Sequence, residues 1–387
     1  MSTTIAWRDG HPVFSSEEMA RRRRRLLDAA EERGVSRLLV VGAERAGTAV
    51  QWVTGWPVTR EAYVLVDRQH RDTLLVGFYN HVPQARELAR DADVAWVGPS
   101  PVRAVTEALA ARGHGDEPLG VVGPLRYGTA DGLRATGLRL LDLGSVYTRL
   151  RQVKSPEELA WLREGAALSD AGVAALATSL RAGLTEHELG DLVERAYVPR
   201  GGSTHIHYFG VTPMQQPARA NPAQHPSSRQ VRPGDAVSVE LSAAFAGYAG
   251  QVLRTFTVEC DPTPLYAELH DVAERAFDSV TGVLRDGATV AEVVAAASVI
   301  EEAGFTTLDD LVHGFGGGYL PPVLGSASRD LDNVPTDVFR AGMTVVVQPN
   351  VVTRDRRAGV QTGELVLVTG DGIERLHAAP RGLRRVG

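Results

Sequence analysis

The sequence predicts two domains, an α/β unit over residues 1–150 and an α+β unit over residues 151–387. Three observations carry this. The chain has 387 residues, a length that ordinary domain sizes divide in two. Helical and strand periodicities alternate up to about Tyr147, the order of an α/β layer structure, and beyond it they segregate. Between the two regimes stands Lys154-Ser155-Pro156-Glu157-Glu158. Ser155 caps a helix, Pro156 suits its first position, and Glu158 completes a capping box.

In the first domain, Ser15-Ser16-Glu17-Glu18 starts a helix over 16–32, and Gly34 stops it. The basic run Arg21 to Arg25 lies inside that helix and reads as a solvated face. Leu38 to Val41 is a buried-strand run, and Tyr63 to Asp67 with Thr73 to Val76 reads as a hairpin. Then follow a helix over 82–89 with Pro83 in its first turn, a strand over 94–97, a helix over 102–111 and a strand over 119–122. The result is a mixed sheet with helices.

The second domain opens with a long amphipathic helix over 158–180. Thr185-Glu186-His187-Glu188 caps the next helix in the same way, with His187 on its surface. Further helices are predicted over 265–284 and 290–303, and strands over 344–347 and 365–368.

Composition narrows the function class. Hydrophobic residues make up 43%, enough for substantial cores, and the formal net charge of −6 argues against nucleic acid as a partner. The single Cys260 cannot form an intramolecular disulfide and fits a reducing, cytoplasmic setting. No apolar run is long enough to span a membrane, and no signal-peptide core follows the basic run.

The stretch from Gly234 to Phe256 organises the second domain. Val237, Val239 and Leu241 alternate with Ser238, Glu240 and Ser242, the period of a half-buried strand. Ala246 to Gly250 supplies a turn, and strand-like residues resume at Val252. Glu240 and Gln251 are expected to face each other across this hairpin, an arrangement that often holds two metal ligands. Upstream, Thr204 to Gly210 alternates, which puts His205 and His207 on one strand face.

Gly234-Asp235 through Glu240, then Gly247-Tyr248-Ala249-Gly250-Gln251-Val252-Leu253-Arg254-Thr255, closely resembles the frame of the creatinase/aminopeptidase P (pita-bread) family. His313-Gly314-Phe315-Gly316, Gln348-Pro349 and the Gly363 to Thr369 strand recur in that family's order. The resemblance runs over about 154–376 and, more loosely, over the first domain. It implies an α/β N-terminal creatinase-like domain and an α+β C-terminal pita-bread domain.

The resemblance also implies where two metals would sit in the family's peptidases. Their two aspartates fall at Glu240 and Gln251, their histidine at His313, and their two glutamates at Gln348 and Gly363. One carboxylate is poor in charge for a bridged divalent pair. Glu364 is one residue out of place, and a one-residue slip in a strand points a side chain to the other face. The expectation is therefore no metal and no cofactor.

Two functions follow. In the first, the chain is a metal-independent enzyme that resembles creatinase, using histidine as acid–base on a small nitrogen-containing substrate, by C–N hydrolysis, elimination, cyclisation or isomerisation. His313 and His225 are the candidate acid–base residues, His225 because Ala220-Asn221-Pro222 resembles creatinase's His-Asn-Pro with alanine in the histidine's place. Glu240 anchors a positive group. His205, His207, Gln251, Tyr319, Gln348 and Gln361 are candidate substrate contacts. Leu253 and Gly363 replace creatinase's guanidinium-binding glutamates and exclude creatine itself. In the second function the domain is an inactive module that binds a ligand or protein. The resemblance further implies a homodimer in which Arg60 reaches the partner's site.

Overall fold

The computed structural model describes residues 4–43, 49–113, 117–329 and 338–387. The chain divides into two compact units, Thr4–Arg151 and Gln152–Gly387.

In the first unit, the described residues form a six-stranded sheet. Its order is Ala92–Trp96, Asp72–Val76, Glu61–Val66, Arg37–Ala43, Leu119–Val122 and Leu140–Asp142. Arg37–Ala43 runs antiparallel to Glu61–Val66 and parallel to Leu119–Val122, so the sheet is mixed as expected. The helix Ser16–Glu31 starts where Ser15 Oγ accepts a hydrogen bond from Glu18 N at 3.1 Å. Its basic run is not the solvated face expected. Arg22 is fully buried, 3.8 Å from the Phe14 ring centroid and paired with Glu18 at 2.7 Å, while Arg23 pairs with Asp72 at 2.9 Å. A run of like charges hides this, because Phe14, Trp52 and Asp72, which enclose Arg22 and pair Arg23, lie outside the helix. Arg60 stacks over the Phe78 ring at 5.4 Å.

The second unit opens with helix α1 (Pro156–Ser179) and helix α2 (Glu186–Tyr197), each started by the predicted capping box. Strands β1 (Gly202–Pro213), β2 (Asp235–Phe245) and β3 (Tyr248–Val258) follow, then helix α3 (Pro264–Val283). The predicted helix over 290–303 breaks into Val290–Ala296 and Val299–Glu302. At the break Ala297 N turns back to Val294 O, three residues away, and ends the α-helical ladder. Strands β4 (Val312–Phe315), β5 (Tyr319–Leu324), β6 (Thr344–Val347) and β7 (Gly363–Val368) complete the path.

Among the described residues these strands lie in the order β5-β4-β6-β7-β3-β2-β1, in a sheet of nine with two short strands added at β7 and β3. The halves join through two residue pairs only, Val252↔Glu364 and Leu253↔Gly363. β2 is buried along its whole length, not half-buried. It packs against α1, and of its polar residues Glu240 turns into a cavity while Asp235 pairs with Arg229 at 2.9 Å. Among the described residues no helix is long and apolar enough to cross a membrane.

Two features fix α1 against the sheet. A Cβ on Gly250 would stand 2.3 Å from Ala166 Cα, and one on Gly165 would stand 2.3 Å from Tyr248 O. Helix and strand touch backbone to backbone, so only glycine fits either position. Gly250→Ala is expected to cost about 3 kcal/mol in urea unfolding. Gly190→Ala, inside α2 with its nearest neighbour 3.9 Å away, is expected to stabilise by up to about 1 kcal/mol.

The second feature is the C-terminal tie. Asp170 accepts from the His377 ring Nδ1 at 2.7 Å and from Ala378 N at 2.6 Å. Burial acts to raise the Asp170 carboxyl. The His377 hydrogen bond and charge, with the backbone N–H groups of Ala378 and Ala379, outweigh it and hold the group below its usual range. A depressed carboxylate stabilises above its unfolded pKa, and the contribution is lost as pH falls through the folded value. Asp170→Asn is therefore expected to cost about 2 kcal/mol at pH 7 and progressively less below about pH 4, measured as melting temperature against pH.

Candidate active site

The β2–β3 hairpin pairs Ser242 with Gln251 and Glu240 with Leu253. Glu240 and Gln251 are therefore diagonal on one face, not directly opposite. Their side chains still meet, since Gln251 Nε2 donates to Glu240 Oε1 at 2.8 Å and to Gln348 Oε1 at 3.2 Å. Gln348 arrives from the end of β6 and His313 from β4, in the other half of the sheet.

These four side chains, with Tyr319, line one cavity of about 250 Å³. Asp309 and Asp310, just ahead of β4, add two carboxylates to its wall, and Tyr208 and Asn221 close it from the β1 side. Among the described residues no lysine or arginine lines it. Burial, then the charges of Asp309 and Asp310, push the Glu240 carboxyl up to about 8. Burial likewise raises Asp309. Asp310 is held by Arg329 at 2.9 Å and by the Tyr319 hydroxyl. Three carboxyls crowded in a poorly solvated place leave Glu240 protonated at neutral pH, and a cation entering the cavity favours its ionised form.

Burial lowers the His313 pKa and keeps the ring neutral. Its Nδ1 lies 3.2 Å from Gly314 O, an acceptor, so the proton sits on Nδ1 and Nε2 keeps its lone pair. The ring stacks on Tyr319 at 4.2 Å and meets Phe315 edge-on at 5.6 Å.

The other residues singled out from sequence lie elsewhere. His225 is exposed on the loop before β2 and is not among the cavity's lining residues. His207 faces α2, where its Nε2 meets the Tyr197 hydroxyl at 2.9 Å, and burial drives its pKa down to about 4. His205 does not share its face. The register passes from Ser242↔Ile206 to Ala243↔Thr204, which leaves His205 as the extra residue of a β-bulge. Its ring then reaches Phe315, at 5.9 Å. Gln361 is fully buried with both amide atoms unpartnered, and it does not line the cavity. Arg60 belongs to the other unit.

Asp309 and Asp310 escaped the sequence reading. The signal was two consecutive acids directly before the apolar Leu311-Val312 and the His313 motif. An acidic pair at a strand entrance ordinarily reads as a turn.

The donor set can be tested against a pair of divalent ions. Glu240 and His313 Nε2 suit an ion. Gln251 and Gln348 are neutral amides, and the Gln251 N–H already occupies one Glu240 oxygen. Position 363 has no room for a side chain, since a Cβ there would stand 2.5 Å from Val347 O and 2.8 Å from Gln348 Cα. Glu364 points to the other face and is held by Arg254 at 2.8 Å and by Arg375. Among the described residues no three His, Cys, Asp or Glu side chains are grouped so as to hold a metal. These residues do not fit a bridged pair of divalent ions.

Comparison with known proteins places this geometry. The model of metallopeptidase family M24 matches residues 160–370. The chain is 28% identical over 293 residues to the probable dipeptidase PepE of Mycobacterium tuberculosis, covering 70% of this chain and 74% of that one. It is 25% identical over 243 residues to an uncharacterized peptidase of Staphylococcus saprophyticus, covering 61% of this chain and 65% of that protein's length. The Xaa-Pro dipeptidase from Bacillus anthracis superposes with a TM-score of 0.81 at 20% identity, covering 95% of this chain and 100% of that one. That likeness in fold extends through both units, as the expected fold class requires.

Proposed function

The chain belongs to metallopeptidase family M24, and from that premise we propose that it is a hydrolase of short peptides whose free α-ammonium is held in the acidic cavity. The premise corrects the expectation of a metal-independent, creatinase-like enzyme acting on a small nitrogen-containing molecule. Relatives named as peptidases support an enzyme over the alternative of an inactive binding module. The family model is one of metallopeptidases, and the relative with a named activity is a dipeptidase. The sequence reading inferred a change of reaction from a change of ligand residues.

The acidic cavity is the observation that carries the proposal. Glu240, Asp309 and Asp310 converge in about 250 Å³ with no lysine or arginine among the described lining residues. A peptide's α-ammonium supplies the missing positive charge at the Glu240 and Asp309 carboxylates. The Gln251 and Gln348 amides are already ordered by their mutual hydrogen bond, and they present donors and acceptors to the first peptide group. The lone pairs of Glu240 and of His313 Nε2 are the acceptors that orient a water beside that peptide's carbonyl.

The experiment is amino-acid release from a panel of di- and tripeptides, Xaa-Pro dipeptides included, with and without added divalent ions. Free-amine peptides are expected to be cleaved, and their N-acetylated forms to show a KM at least about tenfold higher, the loss of one buried charge contact. Absence of cleavage of every peptide in both conditions overturns the proposal.

We propose a homodimer as the assembly. Phe78, Tyr79 and Trp96 are exposed beside Arg60, and the Tyr79 and Trp96 rings meet edge-on at 5.9 Å. Aromatic residues with an arginine make the kind of patch that interfaces bury. Light scattering at micromolar concentration is expected to give twice the 41.5 kDa chain mass. A monomer counts against this assembly.

A further inference from the structure

The sheet's other face carries a second cavity, about 400 Å³ in volume and larger than the acidic one. Gln251 points into the acidic cavity, so Arg254 and Phe256, at odd offsets along β3, point away from it. They form the floor of the second cavity. Val173, Ala174 and Ala177 of α1 form one wall, and the C-terminal segment through Leu383 forms the other.

Its charge is the reverse of the first cavity's. Arg381, Arg384 and Arg385 line it. Its one acid, Asp170, is already engaged by His377 and Ala378 N. Arg254 on the floor is saturated by Glu364 and by the carbonyls of Gly363, Ala379 and Pro380. Arg385 is paired with Asp261 at 3.2 Å, whereas Arg381 and Arg384 keep unpartnered donors. Arg381 bonds Asp278 through Nη2 at 2.6 Å and its Nε lies 3.4 Å from Glu274, yet its Nη1 is buried without a partner. Arg384 is exposed and has no hydrogen-bond or ion-pair partner among the described residues. A buried guanidinium N–H with nothing to donate to is costly, and so is an apolar groove left in water. One kind of molecule answers both.

We propose that this cavity is a ligand site, separate from the acidic one, for a small monocarboxylate with an apolar tail. The tail lies along Val173, Ala177, Phe256 and Leu383, and the carboxylate takes the guanidinium groups of Arg384 and Arg381. A guanidinium fork matches a planar carboxylate in shape as well as charge. The volume falls in the range of small-molecule pockets. A free fatty acid and the C-terminus of an apolar peptide share this chemistry.

Isothermal titration of the full chain tests it with two probes. Octanoate stands for the fatty acid, and an N-acetylated dipeptide ending in leucine stands for the peptide C-terminus. At least one is expected to bind saturably, and the tighter one names the source. Octanamide, of the same shape without charge, is expected not to bind. Arg384→Ala should weaken binding at least about tenfold. Ala174→Trp, placed on an exposed helix position, should block the groove. Titrating Glu240→Gln should give the wild-type result, which separates failure here from failure of the peptidase proposal. No saturable binding of either probe up to about 10 mM, or binding unchanged in Arg384→Ala or in Ala174→Trp, overturns the site.

Discussion

Glu240→Gln is expected to lower kcat/KM for short peptides by about 10²–10⁴-fold while leaving the protein folded. Glu240 is the carboxylate of the hairpin floor, and three things converge on it. Gln251 orders it through a 2.8 Å hydrogen bond, Asp309 and Asp310 raise the local negative charge, and burial keeps water from competing. Glutamine keeps the shape and can still meet Gln251 by turning its amide, so folding is spared. Glutamine cannot ionise, so the negative charge that a bound ammonium draws out on Glu240 is lost, and with it that attraction. Steady-state kinetics on the best dipeptide, with circular dichroism alongside, measure both halves. Asp309→Asn should act in the same direction but mainly through KM, because Asp309 helps to hold the substrate and does not sit on the hairpin. An Glu240→Gln variant with near-wild-type turnover removes the cavity from the chemistry.

Glu364→Gln is expected to be the most destabilising single change in the second unit. Glu364 is fully buried between Arg254, 2% exposed, and Arg375. Replacing one member of such a group leaves a charge buried without its counter-charge, which costs about 3–5 kcal/mol. For a unit of this size that is a fall in melting temperature of roughly 10 °C. Arg254 also donates to the carbonyls of Gly363, Ala379 and Pro380, and so ties the C-terminal segment to the junction of the two half-sheets. The double variant Arg254→Met with Glu364→Leu should lose less than the sum of its parts, since it removes both charges together. Additive losses would mean that the pair acts as two independent residues. Calorimetry of the three proteins decides it.

Local rules made much of this fold legible. Ser155 and Thr185 each sit three residues before a glutamate, and each opens a helix through the reciprocal bonds that this spacing allows. The β2–β3 hairpin followed from alternation around a glycine-rich turn. The order of the motifs brought Glu240, Gln251, His313, Tyr319 and Gln348 to one cavity. What stayed hidden depends on distant partners. Arg22 is buried because Phe14 and Trp52 enclose it, which nothing in a run of arginines reveals. Asp309 and Asp310 belong to the cavity because β4 lies across the sheet from β2. His207 points at Tyr197, on a helix that packs behind β1, and His225 stays on an exposed loop. The chemistry was harder to read than the fold, because the identities of five residues say less about a reaction than the relatives that share the frame.

The bulge at His205 gives β1 two parities. Before it, Thr204 shows its side chain to the face that bears Leu241 and His207, and after it Ile206 and Tyr208 follow the face that bears Glu240. A one-residue deletion at 205 would merge the two phases into a single ladder. Thr204 would keep its partner Ala243 and Ile206 its partner Ser242, and only the His205 ring would be lost. The strand therefore works as a phase-shifter. Its outer end can gain or lose a residue, and trade the ring beside Phe315 for another group, without moving the wall that Tyr208 gives to the acidic cavity.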